Sequence, residues 1–181
     1  SEKETARKVI EELRKETERL LRESTKTNED SSRHAKELLK RSEDVAREIE
    51  ERIDRLLEEK KDGDEVKRLV EELKKRVEEL LRRNEELVRR LEEIDKRSND
   101  ENRKLAEEDK RRLEDAERRV EEGVPIEEVI KRLEDSSRDV ERRLRKSNED
   151  VKRVNKEVAD RLKESNDRLR EELKKVEDDI R

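Results

Sequence analysis

The sequence predicts an all-α fold: a single-chain antiparallel three-helix bundle, up-down-up, of long, nearly straight helices that is coiled-coil-like. Three observations carry that expectation. Of the 181 residues 60% are charged and 26% apolar, none is aromatic, and there are only two glycines and one proline. Ala, Glu, Lys, Leu and Arg dominate, the composition of long helices. Gly63 and Gly123 cut the chain into thirds of nearly equal length. Within each third the apolar residues recur at helical spacing, which separates this chain from the disorder that a low apolar content also predicts.

Each element follows from local signals. Ser1 and Glu4 have capping-box spacing, so the first helix is expected over 2–61. Gly63, in KKDGDEV, suits a left-handed position after a helix end, and Asp64 can cap a second helix over 65–122. Gly123, in EEGVPIEEV, ends that helix in the same way. Pro125 fits the first turn of a third helix, 125–180, where its missing N–H costs nothing, and Glu127 and Glu128 favour the positive helix end. At 1.5 Å per residue each helix would be about 85 Å long. The second seam runs from Val66 through Leu73, Val77, Leu91, Ile94 and Leu113 to Val120, which is 54 residues in fifteen steps. Ile126 to Ile180 repeats that count. A period of 3.6 rather than 3.5 predicts nearly straight helices. The whole of 1–181 reads as one domain.

Polar residues interrupt these seams at matched heights. Folding the chain about its two turns sets position i of the first helix opposite 125 − i of the second, and position j of the second opposite 247 − j of the third. Thr17, Asp109, Ser136 and Ser137 then share one level. Ser24, Thr27, Asn28 and Ser31 share another with Ser98, Asn102, Ser147, Asn148 and Asn155. Ser42, Asn84, Ser165 and Asn166 share a third. A lone buried Ser or Asn costs about 1–3 kcal/mol unless its hydrogen bonds are met. Grouped at one height, hydroxyls and amides can satisfy one another, and a slip of one turn would strand them against leucine.

Leu/Ile/Val cores without aromatics, interleaved Glu/Lys/Arg surfaces, ideal turns and layered Ser/Asn positions together resemble de novo designed helical bundles with buried hydrogen-bond networks. The resemblance covers the whole chain and implies no evolved activity, substrate or cofactor. Spectrin-type repeats are the nearest natural comparison, but they have shorter helices and packed aromatics, which this chain lacks.

Chemical readings are weaker than structural ones. His34 is the only histidine, with Asp30 and Glu37 flanking it at helical spacing. A di-metal carboxylate bundle would need two Glu-x-x-His pairs, and Ser31 stands where the Glu should be. Ser31, His34 and Glu37 would follow successive turns of one helix, with no oxyanion hole and no pocket to exclude water. The sequence predicts no enzyme, no metal and no cofactor. Asp109, between Leu105 and Leu113, is either a hydrogen-bonded network member or a buried carboxylate that senses pH. The stretch 96–112 lacks the alternating ligands and glycine of a calcium loop and reads as a solvated helix face.

Net charge is −5 with the signs interleaved, which argues against nucleic acid or an anionic membrane as partner. There is no apolar run of membrane-spanning length, no signal-peptide pattern, no cysteine and no glycosylation acceptor. Seam doublets such as Leu20/Leu21 and Leu80/Leu81 are wide enough for two neighbours and no third. A monomeric scaffold without a small-molecule substrate is therefore expected, with self-association or recruitment of another helix as the alternative. The aliphatic blocks at the two ends are expected to hold the stability and to exchange amide hydrogens most slowly, with the polar middle opening first.

Overall fold

The computed structural model describes residues 1–59 and 63–180, and it is an all-α bundle of three helices packed against one another. They are α1 (Glu2–Glu59), α2 (Asp64–Glu122) and α3 (Ile126–Ile180). Residues 60 and 61, the expected end of the first helix, lie outside the described residues.

The helix ends show why the chain breaks where it does. The Glu4 amide donates to Ser1 Oγ at 3.4 Å, one half of a capping box, and the Glu4 carboxylate forms an ion pair with the Ser1 amino group at 3.7 Å in place of the other half. Gly123 has φ +82°; its amide donates to the Val120 carbonyl, and the Val124 amide donates to that of Arg119. That pair of bonds is a Schellman motif, which needs a left-handed residue at Gly123. The Pro125 carbonyl then accepts from the Val129 amide, so α3 starts one residue later than the sequence predicts. At the other turn Gly63 has φ +132°, and its carbonyl takes the first α2 bond, from the Lys67 amide. Asp64 therefore sits in the first turn rather than capping it. A Cβ on Gly123 would meet nothing within 4 Å, so Gly123→Ala isolates the backbone cost. That variant should lose about 1 kcal/mol, or about 2–4 °C in Tm by circular dichroism. An unchanged Tm would refute the left-handed cap as a source of stability.

The chain divides into two compact units. Unit 1 comprises Ser1–Ser31 and Ile94–Arg153; unit 2 comprises Ser32–Glu93 and Val154–Arg181. In unit 1, Ile10, Leu113, Val120 and Leu133 head one apolar cluster, and Leu20, Val140 and Leu144 with Leu105 form a smaller one. In unit 2, Ile49, Ile53, Leu73 and Leu169 head the largest cluster, and Leu38, Leu91, Val158 and Leu162 head the other.

Register can be read from side-chain bonds within each unit. Thr17 bonds Asp109 and Ser24 bonds Asn102 in unit 1, and Ser42 bonds Asn84 in unit 2. In all three pairs position i of α1 faces 126 − i of α2, one residue from the expected register, and the two helices are antiparallel. Asp109–Ser137 and Ser98–Ser147 make α2 and α3 antiparallel as well. Arg145 reaches Glu16 in unit 1 and Arg52 reaches Glu177 in unit 2, so α1 and α3 run parallel.

One seam position departs from the sequence expectation. Ile94, expected in the α2 core, is 40% exposed, whereas its neighbour Asp95 is 2% exposed. The inward face advances by alternating steps of four and three through Asn84, Val88, Leu91, Asp95, half-buried Ser98 and Asn102. Backbone geometry places the side chain at 95 inside whatever its chemistry.

Candidate functional site

The functional candidates are the polar levels of the core. The first centres on Asp109, whose side chain is fully buried. Its Oδ2 accepts from Thr17 Oγ1 at 2.8 Å and its Oδ1 from Ser137 Oγ at 2.9 Å. One carboxylate from α2 thus ties together one hydroxyl from each of the other helices. Ser136 does not join: it is half-buried and accepts from Arg112 Nη1 at 2.9 Å on the rim. Successive helical residues point about 100° apart, so of two adjacent serines only one can face inward.

The second level centres on Asn102, 2% exposed. Its Nδ2 donates to Ser24 Oγ on α1, to Ser147 Oγ on α3 at 3.1 Å, and to Ser98 Oγ one turn earlier at 3.4 Å. An amide has two protons for these three oxygens, so the 3.4 Å contact is the secondary one. Ser98 and Ser147 bond each other at 2.7 Å, which closes the ring. A turn away, Asn28 Nδ2 donates to Asn99 Oδ1 at 2.7 Å. Asn28 Oδ1 and Asn148 Oδ1 are buried with no hydrogen-bond partner among the described residues. Thr27 is half-buried beside this level and Ser31 is buried; Asn155, also half-buried, belongs to unit 2.

The third level, in unit 2, is thinner. Asn84 Nδ2 donates to Ser42 Oγ at 3.2 Å, and Ser42 Oγ donates back to the Leu38 carbonyl at 3.3 Å. The α3 residues Ser165 and Asn166 are half-buried, and Ser165 Oγ and Asn166 Oδ1 meet no partner among the described residues. This level therefore bridges two helices, not three.

Two participants escaped the sequence reading. Asp95 is a second buried carboxylate, at the height of Ser31 by the α1–α2 register. Asn99 holds Asn28. Strict four-three stepping from Asn84 reaches Asp95, whereas hydrophobicity points to the adjacent Ile94. His34 stands exposed on α1. Among the described residues no group of three or more His, Cys, Asp or Glu converges as metal ligands, and no helix is long and apolar enough to cross a membrane.

Charge around the first level is set by its rim. Burial, then the negative charge of Glu16 and more weakly that of Asp109, push the Glu141 carboxyl above its ordinary value of 4.5, against the pull of Arg145 and Arg138. Glu16 itself is held below its ordinary value, chiefly by its hydrogen bond from Arg19 and against some burial. A carboxyl raised in the folded state adds stability below its unfolded pKa, and that stability is lost as pH rises through the folded pKa. Glu141→Gln should therefore unfold at a higher temperature than the parent at pH 7, and the difference should vanish below about pH 4.5. Paired melting curves across that range decide it; a Gln variant that is less stable at pH 7 contradicts the assignment.

No protein-family model matches the chain, and comparison with curated proteins and with solved structures returned no match.

Proposed function

We propose that this chain is a structural scaffold of designed type, a monomer whose function is its shape and whose polar levels specify how its helices align. The observation that carries this reading is the Ser24–Asn102–Ser147 bridge, in which Asn102 of α2 bonds one inward hydroxyl from each of the other two helices at a single height. The Thr17–Asp109–Ser137 bridge supports it independently. Such groups are a poor route to stability, because each exchanges aliphatic burial for a hydrogen bond worth about 1 kcal/mol net. They are an effective route to uniqueness, because a shifted helix leaves donors and acceptors unmet. Interleaved surface charge and short caps fit the same purpose. Their exposed ion pairs, such as Arg90–Glu86 and Arg118–Asp115, favour solubility more than stability.

The alternative is a component that associates with itself or with another helix. Light scattering on the eluting peak of a sizing column separates the two. A mass of 22.0 kDa supports the monomeric scaffold. A clean multiple would replace it with the associating reading.

A further inference from the structure

Buried polarity is distributed very unevenly. Among the described residues eleven polar or charged side chains are buried, and nine of them lie in unit 1; unit 2 holds only Ser42 and Asn84. Both buried aspartates, Asp95 and Asp109, belong to unit 1. The apolar count runs the other way, with eleven buried apolar residues in unit 1 and sixteen in unit 2. The units are close to equal in length, so this is a difference in core chemistry and not in size.

We propose that the bundle is built in two tiers of stability, and that unit 1 opens as a cooperative body while unit 2 remains folded. Apolar burial is the dominant favourable term in folding, and a buried carboxylate opposes it. In unit 1 the apolar core is cut into two clusters by the Asp109 bridge, and the smaller cluster ends at the Asn102 ring. In unit 2 the two clusters together are larger, and among the described residues the buried polar side chains between them are Ser42 and Asn84, with Ser165 and Asn166 half-buried at the same level. Regions with fewer apolar contacts open at lower free energy, and they do so as contiguous units. This goes beyond the expectation drawn from sequence, in which both end blocks exchange most slowly, by ranking the two. The end carrying Ile10, Leu113 and Leu133 is the weaker of the two.

Hydrogen exchange on the full chain, followed by mass spectrometry in increasing urea, tests the proposal. Interior windows away from helix ends are compared: 10–28, 102–120 and 133–148 in unit 1, against 38–53, 70–91 and 158–173 in unit 2. The unit 1 windows should share one urea-dependent opening and be protected about tenfold less, or lower still. A gap below tenfold, or the reverse order, overturns the proposal. A second arm replaces the Asn102 ring by apolar residues (Ser24→Ala, Asn102→Leu and Ser147→Ala together). Protection should rise about tenfold in unit 1 and stay within about twofold in unit 2. An equal rise in both would mean a single global opening and would also overturn it.

Discussion

Asp109→Leu should make the protein more stable, by on the order of 1–3 kcal/mol. The side chain is fully buried, and its two bonded partners are neutral hydroxyls, Thr17 and Ser137. A carboxylate so placed carries a desolvation cost that two neutral hydrogen bonds offset only in part. Leucine has similar branching and adds apolar contact beside Leu113 and Leu105. The two hydroxyls are not stranded by the change, because each can turn to the carbonyl four residues back in its own helix. The structure already contains that solution at Thr5 to the Ser1 carbonyl, at Thr25 to the Leu21 carbonyl and at Ser42 to the Leu38 carbonyl. Urea unfolding followed by circular dichroism measures the change. A Leu variant that unfolds at lower urea would mean that the bridge stabilises the fold outright, and that the polar levels are more than a device for alignment.

The largest loss is expected from Leu144→Ala, about 3 kcal/mol and within the 2–5 kcal/mol range of buried leucine truncations. Leu144 is fully buried in the smallest apolar cluster, with Leu20, Val140 and Leu105. Polar groups lie at the heights on either side: Asp109 with Thr17 and Ser137, and Asn102 with Ser24 and Ser147. Hydrogen-bonded side chains cannot move into the cavity without breaking their bonds, so little of the void is recovered. If unit 1 opens separately, the loss appears in the earlier of two transitions rather than in one global midpoint. A loss below about 1 kcal/mol would show that the cluster collapses around the void and that the flanking levels are not rigid.

Much of the fold was legible because the chain is so regular. Breakers occur only where turns are, so Gly63, Gly123 and Pro125 locate both ends of α2 and the start of α3 to within a residue. Short turns between equal helices make register a matter of subtraction, and the α1–α2 bonds fall one residue from the predicted alignment. What stayed hidden has one physical cause. Inward orientation follows the backbone's alternating steps, whereas a reading by residue type follows hydrophobicity. At Ile94–Asp95 the two disagree, and the backbone decides. The same rule separates Ser137, which faces in, from Ser136, which meets Arg112 outside. At Ser165 and Asn166 the step falls between the two residues, so both are half-buried and neither reaches the Ser42–Asn84 pair.

If the polar levels set how α1 and α2 align, the distance between labels on the two helices reports it. The chain contains no cysteine, so Arg22→Cys and Arg118→Cys give two unique spin-label sites, both exposed and offset by about 21 Å along the helix axes in the α1–α2 register, so that a slip changes their separation. In the parent background their separation should be a single narrow distribution by double electron–electron resonance. With both unit 1 levels replaced by apolar residues (Thr17→Val, Ser24→Ala, Asn102→Leu, Asp109→Leu, Ser137→Ala and Ser147→Ala), a second population should appear. Its α1–α2 alignment should be displaced by about one helical turn, 5.4 Å. A distribution as narrow as the parent's would mean that the turns and apolar packing alone set the register, and the polar levels would lose the role assigned to them.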